Sequence, residues 1–384
     1  MQEMKALQLV PAMEEGGVER YITALNRILV EHGWENAVIS SGGKLEFDIR
    51  GREGRTLNLD LKSKNPLTAP FRAWRLRKLI LAEKPDVVVA HSRVPAWLFV
   101  IARAIDRTLH PSGRSALSAL HFITYAHGAN SVSRYSRVMT AGEIVMCPSN
   151  FIRDYLMKAY GVPAEKFRVI PHAVDFARFD PANLDREFVA AKRAEWGIRP
   201  DDKVVMCVGR ISPVKGLDNL ITELAADGAD GVRALPALKL VIVGGAEKKR
   251  EAYFESLKKK VSALPLPLSA TTVFAGAQNK IPECLSLADV VVSANITKPE
   301  SFGLSMAEAL AMGKPVVAKG FGGALDIVRD GVDGVFCDRG VFAAAIEKAL
   351  TLDTTNIRAD AMTRFDFDIM SRNTILIYKE ITRK

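Results

Sequence analysis

The sequence predicts an α/β protein of two doubly wound domains with a ligand cleft between them. Three observations carry that expectation. Short β-branched runs alternate with longer amphipathic stretches, and the alternation occurs twice. The strand candidates are nearly continuous in apolar residues, as parallel strands covered by helices on both faces should be. A Pro/Asp-rich stretch with little periodicity, VIPHAVDFARFDPANLD (169–185), divides the two series.

The first series places strands at KALQLV (5–10), NAVIS (36–40), DVVVA (86–90), FITYA (122–126) and EIVMCPS (143–149). After the break, a short helix over 187–196 leads to VVMCVG (204–209), LKLVIVG (238–244), TTVFAG (271–276), DVVVSA (289–294) and KPVVAK (314–319). The final segment (365–381) reads as a helix, with Ile369, Ile375, Leu376 and Tyr378 supplying apolar contacts. Asp366 and Asp368 make a DxD, but it precedes a terminal helix instead of following a mid-chain strand. Capping and favourable charge at a helix N-terminus explain it better than a metal. The expected domains are 1–172, 173–363 (linker and second domain), and a terminal helix, 364–384, packing back toward the first domain.

Bulk properties are consistent with this. A length of 384 residues suits two domains, and 48% hydrophobic with 25% charged residues suits a globular chain. No apolar run reaches the roughly 18 residues of a membrane span. MQEMKALQLV lacks a basic region before a long apolar core, so no signal peptide is expected. Cys147, Cys207, Cys284 and Cys337 are scattered without a CxxC, which fits a reducing cytosol and no metal cluster. The net charge of +9 suits an anionic small ligand, a nucleic acid or an anionic membrane, and does not choose among them. No nucleic-acid module or basic-aromatic stacking array is present, so a nucleic-acid partner is not expected.

Several loops have the chemistry of a phosphate site. PAMEEGGVERY (11–21) follows the first strand and opens a helix. Gly16 and Gly17 there allow close backbone approach, though a tight βα loop needs the same residues. The missing GxGxxG disfavours a dinucleotide enzyme. CVGRISPVKGLDNLI (207–221) sets Arg210 at a strand end and Lys215 just before a helix, a suitable clamp for a diphosphate. LVIVGGAEK (240–248) adds Gly244 on the same side of the sheet.

KPESFGLSMAEALAMGKP (298–315) carries Glu300 and Glu308 around a helix start near Gly303. At about 1.5 Å per helical residue the two carboxylates lie roughly 8–12 Å apart. Retaining hydrolases hold theirs at about 5–5.5 Å and inverting ones at roughly 6.5–9.5 Å, so a retaining-hydrolase pair is disfavoured. Carboxylates accept hydroxyl hydrogen bonds and repel phosphate. The pair therefore reads as two hydroxyl-binding ends with a phosphate site between. The plainer reading makes Glu308 an exposed helix residue and Glu300 a charge near a cap. KSKNPLTAPFRAWRLRKLI (62–80) carries Lys62, Lys64, Arg72, Arg75, Arg77 and Lys78 among Phe71, Trp74, Leu76 and Leu79. It reads either as a site of peripheral contact with an anionic membrane or as a domain helix with a solvated basic face.

Taken together, GGVER, the YAHG at 125–128, VIPHAVD, VGRISPVKG, the Glu300-x7-Glu308 pair and GGALDIVRDGVDG (322–334) resemble the retaining glycosyltransferases of glycosyltransferase family 4. That resemblance covers nearly the whole chain. It implies the GT-B fold, two doubly wound Rossmann-like domains facing across a cleft. HSRVPAW (91–97), SRYSRVM (133–139) and KNPLT (64–68) look more narrowly like bacterial members that build lipopolysaccharide core.

The resemblance implies a nucleotide-sugar donor held mainly by the second domain and a glycan or glycolipid acceptor against the first. It also implies retention of anomeric configuration with no metal or other cofactor. Arg210 and Lys215 would hold the diphosphate, Glu308 the ribose, and Glu300 the hydroxyls of the donor sugar. Backbone N–H groups of Phe302, Gly303 and Leu304 would meet the sugar and distal phosphate, with Ser301 and Gly244 completing the donor site. His127 and the Gly16–Gly17 loop would approach from the first domain, His127 for positioning or proton transfer. VIPHAVD departs from the family in His172 and Ala173, where Asn and Gly are usual, and GGALDIV in Asp326, where Glu is usual. The expected activity is hexosyl transfer from a donor of UDP-glucose or GDP-mannose type to a hydroxyl of a bacterial cell-envelope glycan, with lipopolysaccharide core foremost. The expected location is cytoplasmic, peripheral on the inner membrane. A nucleotide-sugar epimerase on a similar fold, another glycan or glycolipid acceptor, and a non-catalytic nucleotide-sugar-binding protein stay open.

Overall fold

The computed structural model describes residues 4–14, 16–111, 115–227, 238–246, 250–264, 271–337 and 341–383. The chain forms two compact units, one of Met1–Ala173 with Asp368–Lys384 and one of Val174–Phe367.

The first unit holds seven parallel strands: β1 (Lys5–Leu9), β2 (Glu35–Ser40), β3 (Arg55–Asn58), β4 (Val87–Ala90), β5 (His121–Tyr125), β6 (Ile144–Cys147) and β7 (Phe167–Val169). Their order is β3-β2-β1-β4-β5-β6-β7. The order reverses between β1 and β4, where Gln8 lies opposite Val89. In open parallel sheets, ligands bind beyond the carboxyl ends of the strands at such a switch point.

The second unit repeats the plan with β8 (Lys203–Val208), β9 (Leu238–Val243), β10 (Thr272–Gly276), β11 (Val290–Ser293), β12 (Val316–Lys319) and β13 (Gly334–Cys337). The order is β10-β9-β8-β11-β12-β13, with the switch between β8 and β11. Successive strand residues serve opposite cores. Val204 and Met206 pack with Val241, Val243 and Val291 on one face. Val205 and Cys207 pack with Leu240, Ile242 and Val290 on the other. That two-sided burial is why these strands read as continuous apolar runs.

Three strands were not expected: β3, β7 and β13. Each has at most four residues and lies at a sheet edge. A short edge strand is covered less completely and needs no long apolar run. In β3 no residue is fully buried.

The C-terminal helix also differs from expectation. A helix over Ile357–Phe365 ends at Asp366, and a second runs over Phe367–Thr382. Asp366 has extended backbone and bridges to Val174, so the DxD straddles a break between helices. Met370, Thr374, Ile377, Tyr378 and Ile381 form the buried stripe, and Leu376 is 59% exposed instead of packing. Within the first unit this helix is held by Tyr378, edge-on to Trp34 at 5.3 Å, and by Glu380, paired to Arg168 at 2.7 Å.

The basic segment divides into two kinds of cation. Arg72 is buried and donates to the carbonyls of Asp60, Ser63 and Asn65. Arg77 pairs at 2.7 Å with the fully buried Asp106, and Leu76 is core. Lys62, Lys64, Arg75 and Lys78 are exposed beside exposed Phe71 and Trp74. No described helix is long and apolar enough to cross a membrane.

Candidate active site

In the second unit the site residues gather at the β8/β11 switch point. Beyond β8 the chain passes through Gly209 and Arg210 into a short 3-10 turn, Pro213–Lys215, which ends at Gly216 before the helix Leu217–Asp227. That turn brings Arg210 and Lys215 to the wall of one pocket with Ser293, Asn295 and Ser305. Next to Gly209 and Arg210 the neighbouring strand end is bare backbone for a steric reason. Gly244 has φ +153°, and a Cβ there would stand 1.9 Å from the Gly209 carbonyl oxygen.

Beyond β11, Glu300 reaches back to this pocket. Its carboxylate forms an ion pair with Lys215 Nζ and accepts from Asn295 Nδ2 at 3.1 Å. The Lys215 and Glu300 side chains are 28% and 23% exposed, so the pair is screened less than a surface pair. The Gly323 N–H donates to the Glu300 carbonyl at 2.8 Å and holds its backbone. Ser301 and Phe302 follow, with the Phe302 side chain in the core, edge-on to Phe365 at 5.9 Å.

Gly303 is the N-cap of the helix Leu304–Ala311 at φ +108°, a conformation that favours glycine, and no side chain caps this end. The helix start therefore offers backbone N–H groups and the positive end of its dipole beside Lys215 and Glu300. Glu308 lies half-buried farther along the same helix.

In the first unit, His127 follows β5 and His91 follows β4, whose chain continues the sheet by donating from the His91 N–H to Leu9 O at 3.0 Å. His91 Nδ1 and His127 Nε2 are 3.0 Å apart, and His91 Nε2 is 2.9 Å from Gln8 Oε1. Gly16, in extended conformation, is the N-cap of the helix Gly17–Glu31. One turn on, Tyr21 packs against His127 and His172 at 5.2 Å and Tyr125 at 4.6 Å. Tyr21 and His127 thus belong to one aromatic cluster. His172, a departure from the family pattern, is a member of it.

Burial sets the charge of these rings. It lowers His91 from about 6.5 to about 3 and His172 to about 4. His127 is pushed well below its ordinary value by burial first and then by His91 and His172. All three are neutral at pH 7.

The structure brings together Arg210, Lys215, Gly244, Glu300 and the start of the helix at Gly303 in one unit. In the other it brings His127 against Tyr21, one turn into the helix that Gly16 caps. Gln8, His91, Asn295 and Ser305 were missed. Gln8 carried a signal, a lone amide inside the apolar run KALQLV. Asn295 is the first residue past the apolar run of β11, and nothing local marks it.

The two halves of the chain match two described families: residues 15–178 "Glycosyltransferase Family 4" and residues 188–364 "Glycosyl transferases group 1". Each half is thus similar to a glycosyltransferase family. A glycosyltransferase from Rickettsia africae has the same GT-B fold, with 25% identity, a TM-score of 0.84 and 99% of each chain covered. HepE of Anabaena, solved with UDP and glucose, is 21% identical with a TM-score of 0.77, covering 98% of this chain and all of that one. A D-inositol 3-phosphate glycosyltransferase of Segniliparus rotundus is 32% identical over 228 residues, 58% of this chain and 48% of that enzyme. The chain thus spans about half the length of that curated relative.

Proposed function

We propose that this glycosyltransferase moves a hexose from a nucleotide-diphosphate sugar, of UDP-glucose or GDP-mannose type, to a hydroxyl of a bacterial cell-envelope glycan, with lipopolysaccharide core as the foremost acceptor class. The transfer retains anomeric configuration and needs no metal. One observation carries the reading. Two cations and the first turn of a helix with no side-chain cap line one pocket at the switch point of the second sheet, and a carboxylate is paired to one of those cations.

The acceptor oxygen bonds to the anomeric carbon as the bond from that carbon to the phosphate oxygen breaks. The electron pair stays on the departing diphosphate, which also takes the acceptor's proton. Arg210, Lys215 and the helix start at Gly303 supply fixed positive potential where that charge develops. Before a donor binds, Lys215 is held by Glu300. A diphosphate takes over Lys215, and Glu300, still oriented by Asn295, turns to the hydroxyls of the sugar. Glu308 takes the ribose hydroxyls.

We also propose that the chain is cytoplasmic and docks on an anionic membrane. The same segment exposes Lys62, Lys64, Arg75 and Lys78 together with an aromatic pair, Phe71 on Trp74 at 6.4 Å, with Lys78 Nζ 3.6 Å above Trp74.

A thermal-shift screen of UDP, GDP and ADP sugars tests the donor. At a hundredfold excess over Kd, a bound donor adds about 2.7 kcal/mol of stability. The stabilising donor is then offered with lipopolysaccharide-core acceptors, with and without EDTA, and the product's anomeric configuration is read by NMR. A retained linkage formed in EDTA is expected. No shift with any sugar, an inverted linkage, loss of turnover restored by magnesium, or an epimerised donor formed without acceptor would each overturn the corresponding part.

A further inference from the structure

The orientation of one imidazole can be traced through the first unit from a fixed starting point. Backbone carbonyls only accept. Asn26 Nδ2 faces two of them, Ile49 O at 3.4 Å and Arg52 O at 3.3 Å, which fixes that amide. Its oxygen then accepts from Asn36 Nδ2 at 2.8 Å. The Asn36 oxygen accepts from Gln8 Nε2 at 3.1 Å, and Gln8 Nε2 donates also to the Tyr378 hydroxyl at 3.3 Å. Gln8 therefore presents its oxygen to His91 Nε2 at 2.9 Å, so that nitrogen carries the proton. His91 Nδ1 is left as an acceptor, and His127 Nε2 must donate to it across 3.0 Å. The last atom of the chain, His127 Nδ1, bears a lone pair. It is buried and makes no hydrogen bond within the described protein.

We propose that Asn26, Asn36, Gln8 and His91 are positioning residues that lock His127 in the Nε2–H tautomer, so that its Nδ1 recognises a sugar hydroxyl by accepting a hydrogen bond from it. This rests on the glycosyl-transfer reading for the ligand, but the lock itself does not. Reversing the chain would set the Asn26 oxygen against two carbonyls inside a buried site, and an unpaired buried polar contact is costly. Burial keeps both histidines neutral at pH 7, so the polarity of the chain persists there. The route also ends at an amide. A proton reaching His127 meets only the Gln8 amide beyond His91, and the Tyr378 hydroxyl on the far side of that amide has its pKa raised by burial, which favours His127 as an acceptor that orients the substrate over a proton carrier. A buried acceptor without a partner is what an incoming hydroxyl would satisfy.

The test is nitrogen NMR of the full chain with labelled histidines. Ligand-free wild type should show His127 protonated at Nε2 alone. Asn36→Leu frees the Gln8 amide to turn over and Gln8→Met removes it. In each, an Nδ1–H form of His127 should appear. A wild-type His127 carrying its proton on Nδ1, or variants with the wild-type ratio, would overturn the lock, and the wild-type spectrum decides even if a variant fails to fold. With UDP-glucose and GDP-mannose as donors, Asn36→Leu should lower turnover about tenfold, the effect of roughly 1.4 kcal/mol. Unchanged turnover beside a shifted tautomer would overturn its role in recognition. A locked wild type that turns over neither donor would instead count against the glycosyl-transfer reading.

Discussion

Replacing Lys215 with alanine separates what the Lys215–Glu300 pair does for folding from what Lys215 does for the reaction. Two unit charges 4 Å apart attract by about 4 kcal/mol gross at an effective dielectric constant of 20. Both side chains retain about a quarter of their exposure, and holding them together costs solvation and side-chain freedom. The net contribution to stability falls to about 1 kcal/mol. The loss is softened further because Glu300 keeps its hydrogen bond from Asn295 at 3.1 Å. The reaction should lose far more. Removing one preorganised donor from a site of developing negative charge costs about 10²–10³ in kcat, or roughly 2.7–4 kcal/mol. The assay measures kcat at saturating donor beside urea unfolding of the same preparation. The expected result is a fall in kcat of at least about a hundredfold, with a stability change near 1 kcal/mol. Wild-type turnover at saturating donor would refute the clamp. A loss of turnover matched by an equal loss of stability would show a folding role only.

Further outcomes follow from neighbouring groups. Glu300→Gln keeps the shape but weakens the acceptor, so kcat should fall by about tenfold or more if Glu300 also stabilises charge at the anomeric carbon; near-normal turnover would restrict it to positioning. Gly244→Ala sets a methyl 1.9 Å from the Gly209 carbonyl at φ +153°, and should cost more than about 2 kcal/mol in urea unfolding; an unchanged midpoint would refute that close approach. The buried histidines set an acid limit. Their folded values, about 3 for His91 and about 4 for His172, lie below the unfolded value near 6.5. The unfolded chain therefore binds protons first. Their stabilising contribution is complete above pH 6.5 and falls by about 1.4 kcal/mol per pH unit for each ring as pH drops toward 4. Stability that is flat between pH 6.5 and 4.5 would contradict neutral buried rings.

Much of the fold was legible because parallel strands buried on both faces leave apolar runs that need no partner to be recognised. Ten such runs appeared at their true places, give or take a residue or two. The edge strands β3, β7 and β13 escaped because each has at most four residues, too few to leave a recognisable apolar run. Leu376 was misplaced because the helix begins at Phe367, which fixes the buried stripe on Met370, Thr374, Ile377 and Tyr378. In the candidate site, glycine made backbone constraints legible, as at Gly244 and Gly303. The partner of Lys215 was not, since Glu300 lies 85 residues away and only the adjacency of β8 and β11 brings them together. The same holds for the chain from Asn26 to His127, assembled from five separate segments.

The basic segment shows how structure sharpens a charge pattern into a test. Six cations looked alike in sequence. Arg72 satisfies three backbone carbonyls and Arg77 neutralises a buried carboxylate, so neither is available to a membrane. Arg72→Ala should reduce stability by removing a buried guanidinium that joins three backbone carbonyls, at about 1–3 kcal/mol where water cannot replace it. Lys62, Lys64 and Lys78 are exposed. Each cation near an anionic surface contributes about 1 kcal/mol, so changing all three to glutamine should weaken binding to phosphatidylserine-containing vesicles by about two powers of ten. Unfolding should be unaffected. Raising salt should weaken wild-type binding as well, because such attraction is screened within about 8–10 Å at ordinary ionic strength. Wild-type protein that ignores anionic vesicles at low salt, or a triple variant that binds as before, would remove the membrane from this account and leave the segment as a solvated helix face.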